Sequence, residues 1–166
     1  MRRATLLLVV TCAIGATVGG SALAARFDDR ADGADHFVIT QRGETIKGQI
    51  YAWATRSGTS QATSVASLSI NPSASSELRV RISEQAVISI KAGTKIARSR
   101  KYTDWQTGEA TLRAGSYGQS APAFSFDIGT TSGWTLCAIK VKASQLSGVR
   151  IVREIANFQM NFSGHC

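Results

Sequence analysis

Glu77-Leu78-Arg79-Val80-Arg81-Ile82-Ser83 alternates without a break. Leu78, Val80 and Ile82 fall on one side of an extended chain and Arg79, Arg81 and Ser83 on the other, because successive strand side chains point to opposite faces. A helix would spread the same residues around its axis. The stretch therefore predicts a half-buried antiparallel strand, apolar on one face and wet on the other.

The pattern recurs on both sides. Within residues 45–55, Ile46, Gly48, Ile50 and Ala52 oppose Lys47, Gln49, Tyr51 and Trp53. Shorter β-rich runs cover 36–40, 65–70, 86–91, 95–99, 110–113, 123–128 and 134–142. Between them lie turn signals: Asn71-Pro72, Ala92-Gly93-Thr94, Thr107-Gly108, Ala114-Gly115 and Ser132-Gly133. Ala92-Gly93-Thr94 reads as a hairpin loop. Many short strands at this spacing predict an all-β fold, an antiparallel β-sandwich or small barrel. Residues 148–162 carry two periods at once. Ile151, Ile155, Phe158 and Phe162 have helical spacing, while Phe158, Met160 and Phe162 alternate with Gln159 and Asn161. We expect two strands there, 149–155 and 158–162, with a short C-terminal helix as the alternative.

The N-terminus reads as a secretory signal peptide over residues 1–24. Arg2 and Arg3 precede an apolar run from Leu6 to Val18, and Ser21-Ala22-Leu23-Ala24 supplies a small-x-small cleavage pattern. Gly15, Gly19 and Gly20 dilute the run as a membrane span, so no transmembrane anchor is expected after cleavage. The product would be secreted or periplasmic. Residues 25–35 contain Asp28, Asp29, Asp32 and Asp35 and are expected to form a flexible acidic segment. Residues 36–166 are expected to form a single β domain, large enough to bury roughly two-thirds of its unfolded surface.

Of three cysteines, Cys12 would leave with the leader, and Cys137 and Cys166 remain. In an oxidising compartment they are expected to pair. The closed loop of about 30 residues would contribute on the order of 3 kcal/mol.

Charge is the strongest functional hint. Of 19 Lys and Arg, Arg2 and Arg3 belong to the leader, leaving 17 against 11 Asp and Glu. Arg79, Arg81, Lys91, Lys95, Arg98, Arg100 and Lys101, against Glu84 alone, account for the whole excess. If neighbouring strands pair there, Arg79, Arg81, Lys95, Arg98, Arg100 and Lys101 form a basic stripe, with Tyr102 and Trp105 as secondary contacts. A stripe of that kind attracts an anionic glycan or envelope surface. The competing interpretation is an ordinary solvated face whose arginines discourage edge pairing. Nucleic acid is disfavoured, because the aromatic residues do not interleave with the basic ones as a stacking platform needs. Trp53 offers a second possible sugar platform, and Trp134 reads as core.

Catalytic patterns are missing from the sequence: there is no G-x-S-x-G, no H-E-x-x-H and no phosphate-cradling glycine loop. The expectation is therefore a non-catalytic binding module with no metal and no cofactor. A protein-binding inhibitor, immunity protein or envelope-assembly subunit is the second possibility. A cell-wall or polysaccharide hydrolase using Asp104, Glu109 or Asp127 is the third.

Overall fold

A computed structural model describes residues 29–163, apart from 93–94, 114–118, 121–122 and 132 and the side chains of 91–98 and 114–122. The leader at 1–24 and Cys166 lie outside the described residues. Among the described residues ten strands follow one another: β1 (Asp29–Gln41), β2 (Glu44–Ser57), β3 (Gln61–Ile70), β4 (Leu78–Ala92), β5 (Lys95–Tyr102), β6 (Gln106–Leu112), β7 (Gln119–Ser120), β8 (Phe124–Asp127), β9 (Trp134–Ser147) and β10 (Arg150–Asn161). Two antiparallel sheets pack face to face as a β-sandwich. The first runs β1-β2-β3, with β7 and β8 both on the far edge of β3. The second runs β10-β9-β4, with β5 and β6 end to end along the other edge of β4.

Alternation decides which way each strand faces. Leu78, Val80, Ile82 and Ala86 of β4 and Ile139, Val141 and Ala143 of β9 point inward and are buried. They meet Ile46, Ile50, Ala52 and Ala54 of β2 and Ala66, Leu68 and Ile70 of β3 from the opposite sheet. Alanines on the β2–β3 side leave room for the larger side chains facing them. Gly48 has a similar role within its own sheet: a Cβ there would clash with the ring of Phe37, its cross-strand partner.

Several expectations about local structure need correction. The segment expected to be flexible is, from Asp29 onward, the first half of β1, paired with β2 down to Asp29 opposite Arg56. Buried Ala31 and the close approach of Gly33 to Phe158 anchor it. Thr107-Gly108 is no turn but lies inside β6, opposite Ser83 and Ile82. The runs at 77–83 and 86–91 are one long strand. Residues 148–162 contain no helix: Gly148 and Val149 turn the chain into the single strand β10, and β10 carries two bulges. Each bulge sets one extra residue against β9, at Val152 and Ile155, which shifts the two-residue alternation and produces the helix-like spacing.

One tight turn shows why its residues are there. Arg42 and Gly43 both have positive φ, 52° and 78°, as a two-residue hairpin turn between β1 and β2 requires. The sandwich's open side is closed where β1 meets β10. Asp35 accepts a hydrogen bond from the Asn157 backbone N–H at 3.2 Å, and the Gln145 amide donates to Gln41 at 2.7 Å. The first of these contacts occupies a β10 edge N–H that would otherwise invite another chain to pair.

At the opposite end, Arg56 ties four segments together. Its guanidinium donates to the Leu136 carbonyl at 2.7 Å, to Asp29 at 2.8 Å and to the Ser163 carbonyl at 3.2 Å, and stands 5.1 Å from the Phe162 ring centre. Both members of the Arg56–Asp29 pair are largely buried, so removing either would strand a buried charge.

Glu84 breaks the apolar pattern of β4. It faces inward between Ile82 and Ala86, fully buried, and neither carboxyl oxygen has a hydrogen-bond partner. The nearby Ser64 hydroxyl donates instead to the Trp53 carbonyl at 3.4 Å. Burial pushes Glu84 up to about 7, with Ser64 tempering the shift. The folded chain thus holds this proton more tightly than the unfolded one. The stabilising contribution is complete below pH 4.5 and is lost as pH rises to about 7. At 1.36 kcal/mol per pKa unit the loss is roughly 3 kcal/mol. Denaturant unfolding across that range should show the decline, and Glu84→Gln should flatten it. A Glu84→Gln chain with the parent's pH slope would contradict the assignment.

Candidate functional site

The outer face of the β10-β9-β4 sheet carries the residues with binding chemistry. The register sets two parallel rows across three strands. One is Ser83, Lys142 and Asn157; the next is Gln85, Lys140 and Gln159. Inward Val141 and Phe158 separate the rows in sequence, so both lysines and both amides must share the outward side.

Tyr102, the last residue of β5, and Trp105, in the connection to β6, reach this surface. The connection is pinned to β4 at three points. The Thr103 N–H donates to the Ala86 carbonyl at 3.1 Å, the Thr103 hydroxyl accepts from the Ala86 N–H at 3.0 Å, and the Gln85 amide donates to the Thr103 carbonyl at 2.8 Å. Thus held, Tyr102 and Trp105 remain exposed, 48% and 38%. Lys140 Nζ stands 4.6 Å from the Tyr102 ring centre and Lys142 Nζ 5.0 Å from that of Trp105. Cation–π attraction of this kind holds an ammonium group in place while it stays in water. Trp105, Lys140, Lys142, Asn157, Phe158 and Gln159 line a shallow depression of about 400 Å³. Glu154 reaches Lys142 at 3.7 Å and accepts from the Asn157 amide at 3.0 Å, so of these two lysines Lys140 is the one without a carboxylate partner among the described residues.

The stripe expected from the sequence is divided. Arg79 and Arg81 do share the outward face of β4, but both bind Glu109 of β6, at 2.9 and 2.8 Å. Hydrogen bonding from Arg81 first, with its charge and then Arg79 reinforcing it, holds Glu109 below the usual carboxylate range. The trio carries one net positive charge. Arg100 lies opposite Ser89, eight residues along β4 from Arg81, or about 26 Å at strand rise. Arg100 and Lys101 are exposed, and Lys101 Nζ stands 4.7 Å from the half-buried Trp134 ring. The backbone of Lys95 and Arg98 belongs to β5, while their side chains lie outside the described residues. Lys140 and Lys142 stand between the two arginine groups. Tyr102 and Trp105, expected as secondary contacts, are at the centre.

The four residues that sequence reasoning missed are Lys140, Lys142, Asn157 and Gln159. Their alternation, Lys140-Val141-Lys142 and Asn157-Phe158-Gln159, was present in the sequence. What brings the rows side by side is the β9–β10 register, which depends on two bulges that no spacing rule announces.

Other candidate residues are dispersed. Trp53 stacks on Tyr51, ring centres 5.7 Å apart, on the outer face of the other sheet, on the far side of the sandwich. Asp127 on β8 accepts hydrogen bonds from the Gly129 N–H and the Gln61 amide, which hold it below the usual range. Glu109 is taken by its two arginines, and His36 sits on β1 opposite Gln49. These groups do not converge on a shared cleft. No family model, no curated protein and no solved structure matches this chain.

Proposed function

We propose that this protein is an exported binding module that engages an anionic glycan through the outer face of the β10-β9-β4 sheet. The observation carrying this reading is the placement of Lys140 and Lys142 at 4.6 and 5.0 Å from exposed aromatic rings, beside rows of amide side chains. A sulfate or carboxylate on a sugar would meet the ammonium groups, its hydroxyls would meet Asn157 and Gln159, and its C–H face would meet Tyr102 and Trp105. Arg79, Arg81, Arg100 and Lys101 extend the positive field on both sides and would steer an acidic polymer toward the depression.

Export, in this reading, follows removal of residues 1–24. The pairing of Cys137 with Cys166 fits the C-terminal geometry. Cys137 is buried at a bulge in β9, and its carbonyl accepts from the Phe162 N–H at 2.9 Å. Ser163 is fixed by Arg56 and Asp29. Three further residues span up to about 10 Å, enough to return Cys166 to Cys137. One intact-mass measurement on the processed protein addresses both points. The expected product begins at Ala25 and weighs two hydrogens less than the reduced chain; a retained leader or two free thiols would contradict this part.

Binding itself is tested with a heparin-like sulfated polysaccharide over a salt series. Affinity should fall steeply with ionic strength. The double variant Lys140→Gln, Lys142→Gln should bind about tenfold more weakly, as expected for the loss of two exposed ion pairs. Changing Arg79, Arg81, Arg98 and Arg100 to Ser should weaken binding as well. Affinity indifferent to salt, or a lysine variant that binds like the parent, would refute the reading.

A further inference from the structure

The β9–β10 hairpin is the other unusual surface. Val149 at its turn is 81% exposed, and Ile151 and Val152 are 56% and 54% exposed. Three large apolar side chains within four residues, all facing solvent, depart from the pattern of the other strands among the described residues. The cause is local. Gly148, with φ of 60°, turns the chain in two residues, and the first bulge of β10 adds Val152 to the strand. Ile151 and Val152 are consecutive, so strict alternation would bury one of them, yet both are exposed at this end of β10.

Three arginines stand around this tip. Arg150 lies at the turn itself, and Arg153 follows it by three residues, its guanidinium donating only to the Thr40 carbonyl at 3.4 Å. Arg42 occupies the β1–β2 turn. That turn stands at the same end of the sandwich, because Gln41 is bonded to Gln145 and Thr40 to Arg153. Among the described residues, none of these three arginines forms an ion pair, whereas the neighbouring carboxylates are occupied: Glu44 by Ser75 and Ser76, Glu77 by Arg113, Glu109 by Arg79 and Arg81, and Glu154 by Lys142. Aliphatic side chains at the apex, surrounded by free guanidinium groups, match the layering of an anionic bilayer. The acyl boundary accepts the valines and isoleucine, while phosphate oxygens accept bidentate hydrogen bonds from arginine.

We infer that the β9–β10 hairpin docks the protein on an anionic lipid surface, with Val149, Ile151 and Val152 entering the interface and Arg42, Arg150 and Arg153 contacting headgroup phosphates. This surface is separate from the depression around Lys140 and Lys142, and the inference does not depend on glycan binding. The two together would let the protein hold an acidic polymer while resting on a membrane.

The test is co-sedimentation of the purified chain with phosphatidylcholine vesicles, with and without one-third phosphatidylglycerol. The parent should bind the anionic vesicles and bind neutral ones weakly. The triple variant Val149→Ser, Ile151→Ser, Val152→Ser should lower the bound fraction at limiting lipid by roughly tenfold, and Arg150→Gln with Arg153→Gln by a similar factor. Because these residues are exposed, unfolding profiles should match the parent's, and the triple variant should keep the parent's affinity for heparin-like polysaccharide. Equal sedimentation of parent and triple variant, or equal binding to neutral and anionic vesicles, would overturn the inference. So would a parent that dimerises without vesicles beside a triple variant that stays monomeric, since the hairpin would then serve self-association.

Discussion

The register between β4, β9 and β10 is the constraint on which the rest depends. Inward rows of Leu78, Val80, Ile82 and Ala86 and of Ile139, Val141 and Ala143 can be buried in only one alignment. A slip of one residue would turn Lys140 and Lys142 into the core and Val141 into water. Burying two ammonium groups without partners costs far more than the slip could return. The apolar layer between the sheets therefore places the charged layer outside. Once that register is set, Lys140 lies between Gln85 and Gln159, and Lys142 between Ser83 and Asn157.

A surface built this way is held from several directions. Thr103 fastens the β5–β6 connection to Gln85 and Ala86, which fixes where the Tyr102 and Trp105 rings stand. The β10 edge is anchored from the other sheet by Asp35 and Thr40 and by the fit of Phe158 against Gly33, and β9 beside it by Gln41. At the far end, Arg56 joins β1, β2, β9 and the C-terminal residues through one guanidinium. The tip of the β9–β10 hairpin exposes its apolar side chains Val149, Ile151 and Val152. Inside, Glu84 is a carboxyl kept in an apolar layer, where burial raises its pKa to about 7.

How much of this was legible in the sequence follows from the range of the interactions involved. The alternation of Leu78 to Ser83 is a local fact, and it correctly places Arg79 and Arg81 on the outer face. The all-β class follows from repeating that local fact along the chain, while alternation alone leaves a sandwich and a small barrel both open. What went unread involves partners distant in sequence. Glu109 sits 28 residues from Arg81, and nothing in the segment 79–101 indicates that a carboxylate from β6 would divide the basic stripe. Lys140 and Lys142 carry the same alternation signal as Arg79 and Arg81, but their significance comes from Tyr102 and Trp105 standing over them. The acidic start of β1 was misread because Asp, Gly and Ala resemble a solvated tail until β2 is available to pair with them. The ambiguity at 148–162 came from two bulges, which mimic a helical period by adding residues to a strand.

The fold thus separates two chemistries: an aromatic and cationic depression on one sheet face, and an apolar, arginine-flanked tip at one end. The central claim concerns the first of these, and residue-resolved amide chemical shifts during titration with a sulfated oligosaccharide test it most directly. The account predicts that the largest changes gather at Tyr102, Trp105, Lys140, Lys142, Asn157 and Gln159 and fade as salt is added. Changes centred on Tyr51 and Trp53 across the sandwich, or a spectrum unmoved by excess ligand, would contradict it.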